Sequence, residues 1–171
     1  KKYNINPLAP VETNNSSDGT IKYLFQTTDG FLFETVIIPD EERLTVCIST
    51  QTGCVLSCSF CQTGKANKST DLIAGDIISQ ILFIPEFEKI TNIVIMGMGE
   101  PLLNWENVKT AINLLTSEEY IGISKRRITL STVGIIPNLK DFLQSYPCEL
   151  AISMHTPFAE QRKQIMPIEN K

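Results

Sequence analysis

Cys54, Cys58 and Cys61 set three thiols within eight residues, in the spacing Cys-x3-Cys-x2-Cys. Loops this short disfavour mutual disulfides, and an odd total of five cysteines points to metal or redox chemistry in a reducing compartment. A structural zinc site takes four protein ligands, and the single histidine, His155, lies far along the chain, so a closed tetrahedral site would need distant help. An iron-sulfur cluster suits the spacing better. Cubane clusters bind one thiolate per iron, and three local thiolates leave one iron open to another ligand. The plainer alternative, three buried structural cysteines, sits badly with the spacing, because free cysteines scatter. Three further stretches carry chemistry: Gly97-Met98-Gly99-Glu100-Pro101, Ser131-Thr132 and Ser153-Met154-His155.

Those residues need elements to hold them. From residue 44 onward apolar runs alternate with helical stripes. The strand candidates are Leu44 to Ser49, Ile93 to Met98, Ile128 to Val133 and Leu150 to Met154, none alternating polar with apolar, which predicts strands buried on both faces. Ile77, Ile78, Ile81 and Leu82 fall on one helical face. Val108, Ala111, Ile112 and Leu115 fall on a second, and Leu139, Phe142, Leu143 and Tyr146 on a third, led by Pro137 near an N1 position. Four βα units in order imply a parallel sheet with right-handed crossovers, either a barrel or an open doubly wound sheet. In both, chemistry sits at the carboxyl ends of the strands, where the cysteines, Glu100, Ser131 and Ser153 to His155 fall.

Ahead of these units, Asn14 to Gly19 reads as a turn-rich loop. Ile21 to Gln26 and Phe31 to Ile38 read as a hairpin joined through Asp29-Gly30. Pro39-Asp40-Glu41-Glu42 then interrupts the pattern, so residues 1–43 are expected to form a β-hairpin extension and 44–171 an α/β core.

The 171 residues are 42% apolar and 20% charged, with a net charge of -4, an ordinary globular composition that argues against whole-surface electrostatic binding of nucleic acid. No apolar run approaches the roughly 20 residues of a membrane span, and Lys1-Lys2-Tyr3 opens no secretory leader, so a cytoplasmic protein is expected. The chain begins without Met and ends without an obvious closing element, which reads as a piece of a longer protein. Lys125-Arg126-Arg127, with Lys65 and Lys68, is either a solvated edge or a phosphate-attracting patch. Trp105 is expected to pack at a helix start and Cys148 to be structural.

Cys-x3-Cys-x2-Cys after the first core strand with Gly-Glu-Pro after the second resembles the radical S-adenosylmethionine (SAM) enzymes, whose fold is a partial (β/α)6 barrel. The runs Thr45 to Cys54 (TVCISTQTGC), Met96 to Asn104 (MGMGEPLLN), Lys125 to Thr132 (KRRITLST) and Ala151 to His155 (AISMH) resemble, in order, the dual-specificity ribosomal and transfer RNA adenine carbon-2 methyltransferases. A sister group methylating carbon 8 shares most of this pattern but is expected to carry alanine in place of Pro101. Thr70-Asp71-Leu72-Ile73 departs from the family's usual Arg-Asn-Leu-Thr, removing a cation and a helix N-cap.

The resemblance implies that Cys54, Cys58 and Cys61 hold a 4Fe-4S cluster whose open iron is chelated by SAM. It implies that Gly99, Glu100, Ser131, Ser153, Met154 and His155 contact SAM. Glu34 would be the proton acceptor, given burial that brings its pKa toward neutrality, and Cys47 the thiol that resolves a protein–RNA adduct through a transient disulfide. Implied partners are 23S rRNA, tRNA and an external electron donor such as flavodoxin. The family's methyl-carrying cysteine, last two strands and a SAM-contacting asparagine lie in a C-terminal region outside this sequence.

Overall fold

The computed structural model describes residues 8–65 and 68–170. Lys1 to Tyr3, read above for a leader, and Lys171 lie outside the described residues. The elements are β1 (Glu12–Asn15), β2 (Ile21–Gln26), β3 (Leu32–Asp40), β4 (Arg43–Cys47), α1 (Ala74–Leu82), β5 (Asn92–Ile95), α2 (Trp105–Thr116), β6 (Ile128–Thr132), α3 (Ile136–Ser145), β7 (Glu149–Ile152) and α4 (Ala159–Ile165). All seven strands join one sheet in sequence order, antiparallel from β1 to β4 and parallel from β4 to β7.

The four expected βα units are present. The hairpin is β2–β3, and it does not stand apart: β3 pairs β4 from Val36↔Cys47 to Asp40↔Arg43, so the extension and the core share a continuous sheet. Pro39 and Asp40 stay in β3, past the last residue that β2 pairs, and the reversal falls at Glu41-Glu42, where Glu41 takes a left-handed φ of 48°. Asn14 and Asn15, expected in a loop, belong to β1, whose pairing with β2 outweighs their turn preference.

The expectation of strands buried on both faces does not hold. Tyr23, Phe25, Phe33, Ile37, Val46, Ile93, Ile95, Ile128 and Leu130 share one sheet face and are all buried, in a single core with the apolar stripes of α1, α2 and α3. The helices therefore cover one side, as in a barrel wall rather than a doubly wound sheet. The other face carries Glu34, Val36, Cys47, Val94, Thr129, Ser131 and Ala151, none fully buried. Of these residues, Ser131 lines the cavity at the strand ends and Glu34 lines a neighbouring groove.

Trp105 opens α2 as expected, its indole N–H donating to Asp141 Oδ2 at 2.8 Å and its ring edge-on to Phe142 and Tyr146. Cys148 packs on the same core. Gln80, fully buried on α1, ties the helix to the strands: its Oε1 accepts from Thr35 Oγ1 (2.8 Å) and Ser49 N–H (2.7 Å), and its Nε2 donates to Ser49 C=O (2.8 Å). Truncating Gln80 strands three buried polar groups. Gln80→Ala should lower unfolding stability by about 3 kcal/mol, read as a lower urea midpoint at unchanged slope; a loss below about 1 kcal/mol would mean those groups find other partners.

Candidate active site at the carboxyl ends of the parallel strands

The carboxyl ends of β4 and β5 approach closely enough to require glycine. A Cβ on Gly97 would stand 2.6 Å from Ser49 Oγ and 2.7 Å from Ile48 O, and one on Gly99, at φ +104°, would stand 2.7 Å from Gln51 Cβ. Buried polar side chains complete the seam. Ser49 Oγ donates to Glu34 C=O at 2.5 Å and accepts from Met98 N–H at 2.9 Å. Gln51 accepts from Glu100 N–H at 2.9 Å and donates to Asp71 at 2.6 Å. Asn104 donates from Nδ2 to the carbonyls of Thr50 and Leu72, both at 2.8 Å. Sequence reasoning quoted Ser49, Gln51 and Asn104 inside motifs without assigning them work; their signal was polar types inside otherwise apolar strand ends.

Above this seam, one cavity is lined by Cys54, Cys58, Cys61, Gly99, Glu100, Ser131, Ser153 and His155, with Thr50 and Met98 among its remaining walls. Met154 is not among these residues. It is exposed and lines a separate cleft beside α3 and α4, while its backbone N–H donates to Ile152 C=O and its own C=O accepts from Thr156 N–H. Ser131 Oγ and Ser153 Oγ lie 3.4 Å apart across β6 and β7. His155, at φ 58°, lays its ring 4.1 Å from that of Phe60 in the cysteine loop.

The cysteine loop is anchored on two sides. Leu56 and Cys58 bury against Met166, and Ser59 N–H donates to Ile165 C=O at 2.9 Å, so the end of α4 holds the loop down. Arg162 of α4 donates to Val133 C=O at 2.8 Å, which ties this clamp to the end of β6. All five cysteines are free thiols. Burial raises the pKa of Cys54 above its usual value against the pull of the Leu56 backbone, and burial followed by the neighbouring Cys61 does the same to Cys58. Among the described residues no three His, Cys, Asp or Glu side chains converge on one point as a single metal ion requires. A cubane takes one thiolate per iron and so calls for thiols set apart around it. The three thiols at this cavity fit that donor set.

Glu100 is the most constrained group of the site, 3% exposed. Oε1 accepts from Leu102 N–H (3.0 Å) and Thr132 Oγ1 (2.5 Å), and Oε2 from Val133 N–H (3.0 Å). A carboxylate offers about four lone-pair sites, so one is left for a donor in the cavity. Burial raises its pKa above the ordinary 4.5, with the three donors opposing.

Glu34 and Cys47 lie beside the cavity rather than in it. They share the open sheet face, Cys47 opposite Val36 and Glu34 two residues along β3. Cys47 is largely buried, and burial raises its thiol pKa against a smaller pull from the Met96 backbone. Glu34 is 43% exposed, not buried, and is paired with Lys22 Nζ at 3.0 Å. It lines a groove with Gln62, Thr63 and Lys65 that shares Met98 with the main cavity. Lys125–Arg127 form an exposed 3-10 turn leading into β6, at the opposite end of the strands from the cavity.

Helices on one side of the parallel strands β4 to β7, with thiols and oxygen donors gathered at the carboxyl ends of those strands, define a barrel-type enzyme site. Residues 48–170 match the Radical SAM superfamily, and the chain belongs to it; membership implies an iron-sulfur cluster and SAM. The chain is 47% identical over 168 residues to a probable dual-specificity RNA methyltransferase RlmN of Bacteroides fragilis. It is 50% identical over 167 residues to the protein of the same name from Phocaeicola vulgatus. Each alignment covers 98% of this chain, and the chain spans about half the length of these curated relatives, 49% and 48%. A crystal structure of a radical SAM methyltransferase from Sphaerobacter thermophilus superimposes with a TM-score of 0.91 at 38% identity, covering 96% of this chain and 50% of that one. Among the described residues no helix is long and apolar enough to cross a membrane.

Glu100→Ala leaves three buried donors without an acceptor and should cost about 2–5 kcal/mol of stability, measured by denaturant unfolding. The pH dependence has a definite sign. With its folded pKa raised, Glu100 holds its proton more tightly in the native state, so its contribution to stability is present at acid pH and is lost as pH rises from 4.5 through the folded value. Glu100→Gln removes that titration. The stability difference between variant and wild type should therefore move in the variant's favour across that window and level off above it. A difference independent of pH would show that burial does not raise Glu100.

Proposed function

We propose that this chain carries the radical SAM core of an enzyme that methylates carbon 2 of an adenine in 23S rRNA and in tRNA, through a methylcysteine intermediate and a transient disulfide. The observation that carries the reading is the gathering of the three thiols, Glu100, Ser131, Ser153 and His155 around one cavity, with Glu34 and Cys47 on the adjoining sheet face. The names of the relatives support RNA as the substrate class, and the cytoplasm is the compartment this reading expects. We divide the chain into an extension, 1–43, and the radical SAM core, 44–171.

Cys54, Cys58 and Cys61 would ligate three irons of a 4Fe-4S cluster, leaving the fourth for SAM. When bound, the reduced cluster supplies the electron that cleaves SAM and begins radical chemistry, drawing on an external donor such as flavodoxin. The chain's own residues do the rest. Glu100, with one lone pair free, accepts from the SAM ammonium; Gly99 keeps the wall low. Ser131, Ser153 and His155 give polar contacts from the far wall, and Met154 supports the turn that presents the last two. Glu34 takes a proton from the adduct, positioned by Lys22. Cys47, having lost its proton, attacks the sulfur of the adduct; the S–S bond forms as the S–C bond breaks, and the methylene leaves on the RNA with that electron pair and takes a proton to become the methyl group.

The test uses full-length protein reconstituted anaerobically. Reductive cleavage of SAM and a methyl group mapped by mass spectrometry to adenine carbon 2 are expected; methyl on carbon 8 would move the assignment to the sister group, which Pro101 disfavours. Alanine at Cys54, Cys58 or Cys61 should abolish iron binding. Cys47→Ala should retain iron and SAM cleavage yet accumulate a covalent, ribonuclease-sensitive protein–RNA species. Normal methylation by that variant would overturn the role of Cys47, and loss of iron would move it to the cluster.

A further inference from the structure

Thr50 sits where β4 gives way to the cysteine loop, 2% exposed and on the wall of the main cavity. Its backbone is fully engaged: the N–H donates to Met98 C=O at 2.9 Å, and the C=O accepts from Leu72 N–H at 3.0 Å and Asn104 Nδ2 at 2.8 Å. Its hydroxyl is not. Thr50 Oγ1 is buried and makes no hydrogen bond. The other buried hydroxyls of this seam, on Thr35, Ser49 and Thr132, all have protein partners.

An unpaired buried hydroxyl costs free energy, on the order of 1–3 kcal/mol, and a methyl group of the same shape would avoid it. Three hydrogen bonds fix the backbone of this one residue in place. Sulfur is a weak acceptor and would compensate the hydroxyl poorly. The oxygen-bearing side chains elsewhere on the cavity wall, Glu100, Ser131 and Ser153, suit an organic ligand carrying an ammonium, a carboxylate and hydroxyls. Thr50 is joined to the Glu100 side of that wall through Met98, whose carbonyl accepts from both Thr50 and Gln51, and through Gln51, which holds the Glu100 N–H.

We propose that Thr50 is a further SAM-binding residue, its hydroxyl completing a hydrogen bond with the amino-acid end of SAM beside Glu100. This rests on the reading of the cavity as a SAM site. Bond order and electron count in the reaction are untouched, because the role is binding and positioning.

The experiment compares wild type, Thr50→Val and Thr50→Ser as full-length, anaerobically reconstituted proteins, with SAM as the probe in equilibrium dialysis. Thr50→Val should bind SAM about tenfold more weakly while Thr50→Ser stays near wild type. Iron content and the visible spectrum of the cluster should match wild type in both. The sign of the stability change gives a second readout that does not depend on the loaded enzyme. Without SAM, Thr50→Val should melt at the same temperature as wild type or higher, and the rise in melting temperature on adding SAM should be smaller than for wild type. Equal SAM affinity in Thr50→Val and wild type would overturn the proposal while leaving the SAM site intact. A lower melting temperature for Thr50→Val without SAM would overturn it too, by showing that the hydroxyl already has a structural partner. Failure of wild type itself to bind SAM would remove the reading on which the proposal stands.

Discussion

The close approach of the β4 and β5 carboxyl ends governs the rest of the structure. Gly97 and Gly99 lie against Ile48, Ser49 and Gln51 at distances that leave no room for a Cβ. Ser49, Gln51 and Asn104 then satisfy the backbone groups that such a tight junction would otherwise bury unpaired. Because β4 leads into the cysteine loop and β5 into Glu100, this junction fixes the thiols and the carboxylate relative to one another before any ligand arrives. A polar network that is complete rigidifies; one left half satisfied would loosen the site first.

Coverage on one face only is the second constraint. The helices dry one side of the sheet and leave the other as a shallow wall carrying Glu34, Cys47, Ser131 and Ala151. Cys47 and Glu34 are thereby neighbours on adjacent strands although thirteen residues separate them in sequence, while each keeps a different environment. Cys47 is partly buried, and burial disfavours its thiolate. Glu34 stays open to solvent and held by Lys22.

Glu100 shows how a site tolerates a buried charge. Three donors, from the end of β6 and from its own loop, offset the desolvation in part without exhausting the carboxylate, and one lone pair remains for a further donor. The α4 clamp does comparable work for the cysteine loop, through Met166 and Arg162, with residues at the end of the chain that no spacing rule singles out.

What the sequence determined by itself was local or periodic: the thiol triplet, the order of four βα units, the helical stripes and the hairpin at Asp29-Gly30. These follow from neighbouring residues and from the geometry of single elements. It also placed the chemistry on one rim, since strand ends in a parallel sheet point one way. The tertiary structure alone decided which face of each strand is covered, because apolar residues in both parities read alike whether or not the second face meets a helix. It decided that Asn14 and Asn15 form an edge strand, a matter of pairing with β2. It decided that Glu34 is open rather than buried and that Met154 lies outside the cavity. And it alone exposed the partners of Gln80, Gln51 and Asn104 and the unpaired hydroxyl of Thr50. Whether a buried polar group has a partner depends on atoms dozens of residues away, and no window of sequence contains both.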